Sequence, residues 1–396
     1  MAPSHRELGL AEDEFLLGVL KASNHLVGQP SGRRPDPGCY EKGDPLLLAY
    51  WPAVRTNRFQ SLLYNQAWNY NVAAVPAGRS EDFAAELPWT GSMACHFHWL
   101  ASIKDEAELA RFTDLLTDLK RQRRVIVWTV HNVLPHGDEA EIGIAVRVRR
   151  LMAETADLIH VMNPRTPELV EPHFSLAGKP TFFSPHPSYL GAQPSSATRE
   201  AARFELGIGM TTTVFLVFGA IRPYKGIEDV LAAAQVLMHE RPQRDFTVVV
   251  AGIPKDKELV RRLRQIGTLG ERLVLYPKRV VNDDLQYFFR AADYAVCAYR
   301  SGLNSGAAAL AMSFGVPIIA PRTATFADIL ARGGGIGYAP DDPGGLAAAL
   351  RRALEIDPSG MNAHANAIAE EDSPLNASTR FFEGLTAGLK ARRAPA

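Results

Sequence analysis

The chain has 396 residues, which is too long for one ordinary hydrophobic core and fits two domains. Its 43 lysine and arginine residues balance its 43 aspartate and glutamate residues, and this zero net charge argues against a nucleic-acid-binding protein with a broad basic face. The hydrophobic fraction of 46% is that of a globular protein, and no window approaches the roughly 20 apolar residues that span a bilayer.

Residues 1–44 form a predicted N-terminal extension. One helix is predicted over about 10–22, and a Gly/Pro/Arg-rich loop follows it. The first residues carry acids and lack a long apolar core, so we expect no signal peptide. The three cysteines are far apart without a CxxC pair, which indicates reduced thiols in a cytoplasmic protein. Arg33 and Arg34 are candidates for peripheral contact with the inner membrane face, although solvated charge also explains them.

A repeating pattern then predicts an N-terminal Rossmann-like domain over 45–190. Short apolar runs alternate with amphipathic stretches such as 105–122, which is typical of a parallel sheet covered on both faces. The predicted strands are 45–51, 71–76, 92–100, 124–130, 157–162 and 180–185.

The Pro/Ser-rich segment 187–200 is the predicted linker, and the pattern restarts in a C-terminal Rossmann-like domain over 200–372. Its predicted strands are 211–220, 245–252, 272–277, 293–299 and 316–321, and its helices are 225–240, 283–292, 305–314 and 342–355. A last helix within 373–396 is expected to return toward the N-terminal domain. Two doubly wound α/β domains in tandem place the expected ligand site in the cleft between them.

The segment VFLVFGAIRPYKG (214–226) carries the first candidate site. An apolar strand ends at Gly219, and a tight loop then presents Arg222 and Lys225 before a helix that begins at about Gly226. Free N–H groups and the helix dipole favour an anion at such a helix start, and the two cations suit phosphate oxygens. The segment therefore predicts a diphosphate site, and the alternative is two solvated cations on a surface loop.

A second strand runs into the loop SGLNSG (301–306) and a small-residue helix. Asn304 and Ser305 stand where an N-cap belongs, and Gly306 allows the backbone to approach a bound phosphate or sugar closely. The alternative is an ordinary capped helix packed on its sheet.

Histidines mark several strand ends of the first domain. His131 begins the loop after strand 124–130, and His136, Asp138 and Glu139 follow in that loop, where clustered titratable groups suit proton transfer.

The same arrangement recurs on two further strands. His98 and Trp99 close strand 92–100, and His186 follows strand 180–185. An aromatic ring beside a hydrogen-bonding side chain suits sugar recognition, whereas any one of these histidines alone is more often a hydrogen-bonded core residue.

Two familiar motifs are missing from the sequence. No DxD follows a strand, so a divalent metal clamp for diphosphate is not expected, and Arg222 and Lys225 would neutralise the diphosphate instead. No GxGxxG follows the first strand, and GGGIG (333–337) lies in the wrong context, which argues against a dehydrogenase.

Four blocks resemble the GT-B-fold glycosyltransferases of family 4, and the resemblance covers nearly the whole chain after about residue 45. The blocks are HFHW (96–99), HNVLPH (131–136), FGAIRPYKG (218–226) and NSGAAALAMSFGVPIIAP (304–321). Within the family the chain is similar to the GDP-mannose-dependent β-mannosyltransferases of xanthan assembly. The resemblance implies two Rossmann-like domains that face each other across a cleft, the N-terminal one on the acceptor side and the C-terminal one binding the nucleotide-sugar. It also implies a lipid-linked oligosaccharide acceptor.

The resemblance also implies roles for individual residues. Arg222 and Lys225 match residues that bind the donor diphosphate, and the loop 304–306 matches the segment that cradles the donor. His131 matches a histidine that family members place at the sugar, next to the reacting carbon. Retaining members carry two glutamates eight residues apart near this loop; those positions are Gly302 and Leu310 here, which favours an inverting reaction.

The sequence therefore predicts a metal-independent hexosyltransferase without a cofactor, which moves a sugar from a nucleotide-sugar donor, GDP-mannose being favoured, to a glycan or lipid-linked oligosaccharide. His131 is the first choice for the base and Asp138 the second, while His98, Trp99, His136 and His186 are expected to contact the acceptor or the sugar. The alternatives are a UDP-sugar-dependent enzyme of the same family, a nucleotide-sugar epimerase of the same fold, and a non-catalytic nucleotide-sugar-binding subunit. No nucleic-acid partner is expected.

Overall fold

The computed structural model describes residues 18–19, 21–22, 44–54, 56–87, 89, 91–134 and 139–392. The chain divides into two compact units, the first formed by Met1–Pro187 with Pro374–Ala396 and the second by Ser188–Ser373. Each unit is built on its own six-stranded sheet.

The sheet of the first unit has the strand order β2–β1–β3–β4–β5–β6, and every pairing in it is parallel. Its strands are β1 Leu46–Trp51, β2 Val72–Pro76, β3 Ser92–Phe97, β4 Val125–Val130, β5 Leu158–Val161 and β6 Thr181–Phe183. β3, β4 and β5 are buried along their whole length, which explains why they read as continuous runs rather than as an alternating pattern.

Four helices connect these strands: α1 Phe59–Leu63, α2 Glu106–Arg121, α3 Glu139–Thr155 and α4 Thr166–Val170. α2 begins after Asp105, whose side chain accepts a hydrogen bond of 2.8 Å from the backbone N–H of Glu108. Its apolar residues recur at spacings of three and four and are buried, so one face of the helix covers the sheet.

The sheet of the second unit has the strand order β12–β11–β10–β7–β8–β9, again with parallel pairings throughout. Its strands are β7 Thr213–Phe218, β8 Phe246–Ala251, β9 Leu273–Tyr276, β10 Tyr294–Val296, β11 Ile318–Pro321 and β12 Gly335–Tyr338. Along β7, Phe215 and Val217 belong to one buried cluster while Val214 and Leu216 belong to another. Both faces of the sheet are therefore covered.

The helices of the second unit are α5 Arg199–Leu206, α6 Ile227–Glu240, α7 Lys257–Gln265, α8 Leu285–Ala291, α9 Gly306–Ser313, α10 Ala327–Ala331, α11 Gly345–Glu355 and α12 Ser359–Glu371. The last helix, α13 Pro374–Ala391, belongs to the first unit. Its residues Phe381, Phe382 and Leu385 are fully buried in the cluster that contains Leu46 and Val127 of the first sheet. Among the described residues, no helix is both long enough and apolar enough to cross a bilayer.

The predicted fold class, two doubly wound Rossmann-like α/β domains, is confirmed. All eleven predicted strands are present, and the sequence analysis misses β12, which is formed within and after GGGIG. This strand lies close against its neighbour, since a Cβ at Gly335 would stand only 2.0 Å from the backbone oxygen of Ile318. Glycine supplies the close approach but none of the apolar side chains by which a strand is recognised.

Several predictions concern the N-terminal extension and the loop before α3. Of the helix predicted over 10–22, residues 18, 19, 21 and 22 are described and are helical. Arg33, Arg34 and Cys39 lie outside the described residues, as do His136 and Asp138. Cys95 and Cys297 are buried free thiols.

Candidate functional site

In the second unit, the order of the strands marks one position of the sheet as special. The chain proceeds from β7 outward through β8 to β9, then crosses back to β10, which pairs with the other side of β7. β7 and β10 therefore flank the switch point, where open α/β sheets bind ligands at the carboxyl ends of their strands. The segments that follow these two strands are the two predicted motifs, 219–226 and 297–306.

The turn after β7 depends on two glycines with positive φ. Gly219 has φ of +108°, and a Cβ there would stand 2.6 Å from the Lys225 Nζ atom. Gly226 has φ of +63°, and a Cβ there would stand 2.1 Å from the backbone oxygen of Ala298. Between them, Pro223–Lys225 forms one short 3-10 turn, and α6 begins at Ile227. The glycines thus let the turn fold over the end of β7 and against the segment that follows β10.

This turn directs the side chain of Lys225 back into the protein. Lys225 is only 6% exposed, and its Nζ donates a hydrogen bond of 2.8 Å to the backbone oxygen of Phe218. Among the described residues, this carbonyl is the one acceptor within hydrogen-bonding distance of an ammonium that has three donors. Burial lowers the pKa of Lys225 to about 8, while the nearby Cys297 acts in the opposite direction.

Tyr299 joins the two predicted motifs. The Lys225 Nζ atom lies 5.1 Å from the centroid of its ring, and the Ser305 hydroxyl lies 3.2 Å from its Oη atom. Ser305 is the N-cap of α9, and its Oγ accepts a hydrogen bond of 3.1 Å from the backbone N–H of Ala308. The structure therefore brings Lys225 and Ser305 to one location, with Asn304 and Gly306 on either side of the cap, half-buried.

Arg222 lies at the start of the same turn, in extended conformation and half-buried. Its guanidinium makes no hydrogen bond or salt bridge with the residues that the structure describes. By contrast, the neighbouring Arg300 is held by Asp229 through two hydrogen bonds of 2.9 and 2.8 Å. At the start of α6, no described side chain caps the helix, so its first N–H groups remain available to an anion.

In the first unit, the predicted residues gather at the carboxyl ends of the strands. The His98 Nδ1 and His131 Nε2 atoms are 3.0 Å apart, and the Trp99 ring stacks on that of His131 with centroids 4.2 Å apart. Phe59, at the start of α1, contacts both His131 and His186, with a centroid separation of 5.1 Å in each case. Four predicted residues, His98, Trp99, His131 and His186, therefore lie together.

Five further polar side chains extend this group into the sheet, and the sequence analysis assigns none of them to the site: Tyr64, His96, Thr129, His160 and Ser184. All are buried and linked by hydrogen bonds of 2.6 to 2.9 Å. The available signal is a polar residue inside an otherwise apolar run, as in VIVWTV and LIHV. Thr129 and His160 are direct partners in the pairing of β4 with β5, which the sequence alone does not reveal.

These histidines are neutral at neutral pH. Burial, together with repulsion from His160, lowers the pKa of His96 well below its ordinary value, and burial with neighbouring rings does the same for His98 and His131. Burial lowers the pKa of His160 to about 3 and also lowers that of His186. Within the described part of the chain, no three His, Cys, Asp or Glu side chains are arranged to hold a metal ion.

Two Rossmann-like units in one chain are the architecture of the GT-B fold. Residues 212–355 match the family model described as "Glycosyl transferases group 1". The match includes the Arg222–Lys225 turn and the Asn304–Gly306 loop.

Among characterised proteins, the chain is similar to the D-inositol 3-phosphate glycosyltransferase 2 of Catenulispora acidiphila, with 31% identity over 166 residues that form 40% of this chain and 38% of that relative. The D-inositol 3-phosphate glycosyltransferase of Geodermatophilus obscurus is 30% identical over 257 residues, or 62% of this chain and 55% of the relative. The chain thus matches about two fifths to just over half of the length of these relatives.

Solved structures support the fold. HepE of Anabaena, in complex with UDP and glucose, superposes with a TM-score of 0.65 at 15% identity over 87% of this chain and 100% of HepE. The sucrose-phosphate synthase of Thermosynechococcus elongatus gives a TM-score of 0.62 at 17% identity over 88% and 98% of the two chains. At these identities the likeness establishes the architecture alone.

Proposed function

We propose that this protein is a glycosyltransferase that moves a hexosyl group from a nucleotide-sugar to a glycan or lipid-linked oligosaccharide acceptor. The observation that carries the proposal is the buried Lys225 ammonium beside Arg222, whose guanidinium no described residue pairs, at the β7/β10 switch point. The family match over residues 212–355 supports it, because that match contains both cations.

Donor activation follows from the charges of this turn. Negative charge grows on the diphosphate as its bond to the anomeric carbon breaks, so cations held in place stabilise the transition state more than the bound donor. Arg222 supplies a planar pair of N–H donors and Lys225 a compact charge, with Gly219 shaping the turn between them and the strand. The loop Asn304–Gly306 contacts the donor sugar or phosphate in this proposal, and no metal ion is required.

The first unit supplies the base and the acceptor contacts in this proposal. A neutral His131 accepts the proton of the attacking acceptor hydroxyl, with Asp138 as the second candidate. His98, Trp99, His136 and His186 contact the acceptor or the transferred sugar. Direct displacement by the activated hydroxyl inverts the anomeric centre.

GDP-mannose is the donor we favour, from the sequence resemblance. A UDP-sugar is the second candidate, because HepE is described in complex with UDP and two trehalose-phosphate synthases with this fold are named as UDP-forming. The relatives named D-inositol 3-phosphate glycosyltransferases make that phosphorylated polyol a second candidate acceptor. Peripheral association with the inner membrane face would accompany a lipid-linked acceptor.

The donor class is tested by thermal unfolding with GDP, UDP and dTDP, each with its sugar nucleotides. A ligand at 100 times its Kd stabilises the folded protein by about 2.7 kcal/mol, so one base should stand out. Lys225→Met should remove the shift, whereas Lys257→Met, an exposed lysine at the start of α7, should keep it. Equal, small shifts for all nucleotides in the unmodified protein would contradict the donor site.

Activity is tested with the radiolabelled donor that stabilises the protein, given alone and then with acceptors. Transfer of label to an acceptor supports the proposal. Conversion of the donor to an epimer without any acceptor would identify an epimerase, and tight nucleotide binding without turnover on any acceptor would identify a binding subunit.

A further inference from the structure

A cavity of about 230 Å³ lies in the first unit, at the amino ends of β3 and β4. Its lining includes three residues before or at the start of β3 and three before β4: Leu87, Trp89, Met93, Gln122, Arg123 and Arg124. His98 and His131 follow the carboxyl ends of the same two strands, and each strand has six residues, so roughly 20 Å of sheet separates them from the cavity. This amino-edge cavity is therefore distinct from the group of histidines.

The ring of Trp89 is held in one position at this cavity. Its Nε1–H group donates a hydrogen bond of 2.9 Å to the backbone oxygen of Ser92 at the start of β3. Gly91 leaves space for the ring, since a Cβ there would stand only 3.1 Å from it. Together with Leu87 and Met93, the half-buried indole gives the cavity an apolar wall that is preorganised for a flat ring.

Arg124 adds a guanidinium to the lining, and three neighbouring groups hold it in place. Its Nε donates to Gln122 Oε1 at 2.6 Å, its Nη2 donates to the backbone oxygen of Ala85 at 2.8 Å, and its Nη1 contacts the sulfur of Met93. A guanidinium has five N–H donors, so two of them have no acceptor among the described residues. A planar donor group held in this way suits the oxygens of a carboxylate or a phosphate.

The charge of Arg124 has no counterion in the part of the chain that the structure describes. The residue is half-buried, no described carboxylate lies within salt-bridge distance of it, and burial lowers the pKa of its guanidinium. Lys120 and Arg121 of the preceding helix differ, because Asp157 and Asp118 pair with them at 2.5 and 2.9 Å. A half-buried cation without a partner costs free energy, and an anion that enters the cavity would offset this cost.

Arg123 contributes a second cation from a backbone position that favours glycine. Its φ is +57°, in the left-handed region, where a residue with a Cβ costs roughly 1 kcal/mol. The N–H groups of Arg123 and Arg124 close the end of α2 with hydrogen bonds of 2.9 Å to the backbone oxygens of Lys120 and Leu119. An arginine at this helix end, in place of glycine, is explained if its charge serves the cavity that it lines.

The remaining polar side chain of the lining, Gln122, is committed at both ends of its amide. Its Oε1 accepts from Arg124, and its Nε2 donates to the backbone oxygen of Ala84 at 3.1 Å. The hydroxyl groups of a sugar would therefore find few partners in the described lining. Leu87 and Met93 beside the indole suit an apolar ring instead.

We propose that the amino-edge cavity binds a small anion carried on an apolar ring, such as an aromatic carboxylate or an aryl phosphate. The acid group lies at Arg124 and Arg123, and the ring lies against Trp89. This site goes beyond the proposed sugar transfer, because it is formed at the opposite ends of β3 and β4 and shares no residue with the group of histidines.

Calorimetric titration of the full-length protein with four probes tests the chemistry of the ligand. Benzoate carries both the ring and the charge, acetate lacks the ring, benzyl alcohol lacks the charge, and glucuronate places the carboxylate on a sugar ring. We expect saturable binding of benzoate with a Kd below about 1 mM, and binding at least about tenfold weaker for the other three. Absence of benzoate binding, or a comparison probe that binds as tightly as benzoate, overturns the proposal.

Two arginine variants locate the binding of benzoate. Arg124→Gln should weaken it at least about tenfold, and Arg123→Gly should weaken it several-fold without loss of unfolding free energy, because glycine relieves the left-handed backbone. Arg111→Gln removes an exposed arginine of the same helix α2 that does not line the cavity, and serves as the matched control. Affinity equal to that of the control in both variants overturns the proposal, and if Arg124→Gln does not fold, retained affinity in Arg123→Gly does so alone.

The Lys225→Met variant separates this inference from the proposed function. Benzoate binding should persist in that variant, since Lys225 belongs to the second unit, and its loss there would place the anion at the cationic turn and overturn the proposal. Nucleotide binding should in turn persist in Arg123→Gly. Benzoate binding at the cavity without any nucleotide binding would contradict the proposed function and leave the anion site in place.

Discussion

Lys225 combines a positive charge with almost complete burial, so if it binds the donor diphosphate as proposed, we expect donor affinity to depend on pH. Its pKa is about 8 because burial disfavours the ammonium, so the apo protein loses this charge as pH rises through that value. A bound diphosphate interacts with the charged form, and the proton must then be taken up from solution. Above pH 8, we expect nucleoside diphosphate affinity to fall by up to about tenfold per pH unit.

Calorimetric Kd values at pH 7.0, 8.0 and 9.0 measure this effect. Lys225→Arg is the matched control, since a guanidinium keeps its charge over this pH range. Any titration of the ligand itself cancels when the Kd of the unmodified protein is divided by the Kd of this variant. A ratio that stays constant from pH 7.0 to 9.0 would show that Lys225 does not bind the diphosphate in its charged form.

The residues of the site differ in how far the sequence reveals them. Arg222, Lys225 and Ser305 lie in the loops that follow apolar strands, and polar residues in such loops are visible without a structure. Thr129 and His160 lie inside strands, and their meeting depends on the pairing of β4 with β5. Tyr64 approaches His96 and His98 across 32 and 34 residues of sequence. Long-range register and packing bring these groups together, and local patterns contain neither.

At the scale of elements, Ser305 has two tasks at the start of α9. Its hydroxyl oxygen caps the helix at Ala308 and its O–H group reaches Tyr299, the ring beside Lys225. Ser305→Ala should cost about 1 kcal/mol of unfolding free energy through the lost cap. It should also weaken nucleotide-sugar binding, because the helix start and Tyr299 lose their mutual alignment.

Thr198→Ala removes a comparable cap, at the start of α5, where the side chain accepts from the Ala201 N–H at 3.2 Å. Chemical denaturation and donor Kd values of the two variants separate the effects. Both should lose similar stability, and Ser305→Ala alone should lose affinity. Equal donor affinity in both variants would show that Ser305 acts as a helix cap and does not contribute to donor binding.

Elements are predictable from sequence where one simple pattern dominates. β4 and β8 are runs of mostly β-branched residues that are buried along their whole length. In α2, apolar residues recur at spacings of three and four after an Asp N-cap. α3, α7 and α12 carry no such assignment in the sequence analysis: α3 alternates valine with arginine, as in AVRVRR, and α7 is strongly charged. Most of their residues are nevertheless good helix formers, so local preference agrees with the helices that form. The sequence does not reveal β12 because its glycines allow the neighbouring strand to approach closely but supply no apolar side chains.

For the whole molecule, the two units differ in how they tolerate acid. The first unit buries five histidines whose pKa values are lowered, His96, His98, His131, His160 and His186. Once unfolded, these rings take up protons below about pH 6.5 that the folded unit excludes. Below that pH the unfolded state binds more protons than the folded state, so the free energy of unfolding falls as pH decreases. Above that pH this loss of stability is absent.

The pKa of His160 gives the expected size of this loss of stability, and the tryptophans of the chain provide a probe for it. His160, with a pKa of about 3, alone should cost the first unit about 2 kcal/mol between pH 7.5 and pH 5.0. All five tryptophans of the chain, Trp51, Trp68, Trp89, Trp99 and Trp128, belong to the first unit, so urea titrations followed by tryptophan fluorescence report on that unit. His160→Gln should reduce the difference in unfolding free energy between the two pH values, whereas His173→Gln, outside the group of hydrogen-bonded histidines, should leave it unchanged. Equal pH dependence in both variants and the unmodified protein would mean that the His160 ring takes up a proton in the folded state as readily as in the unfolded state.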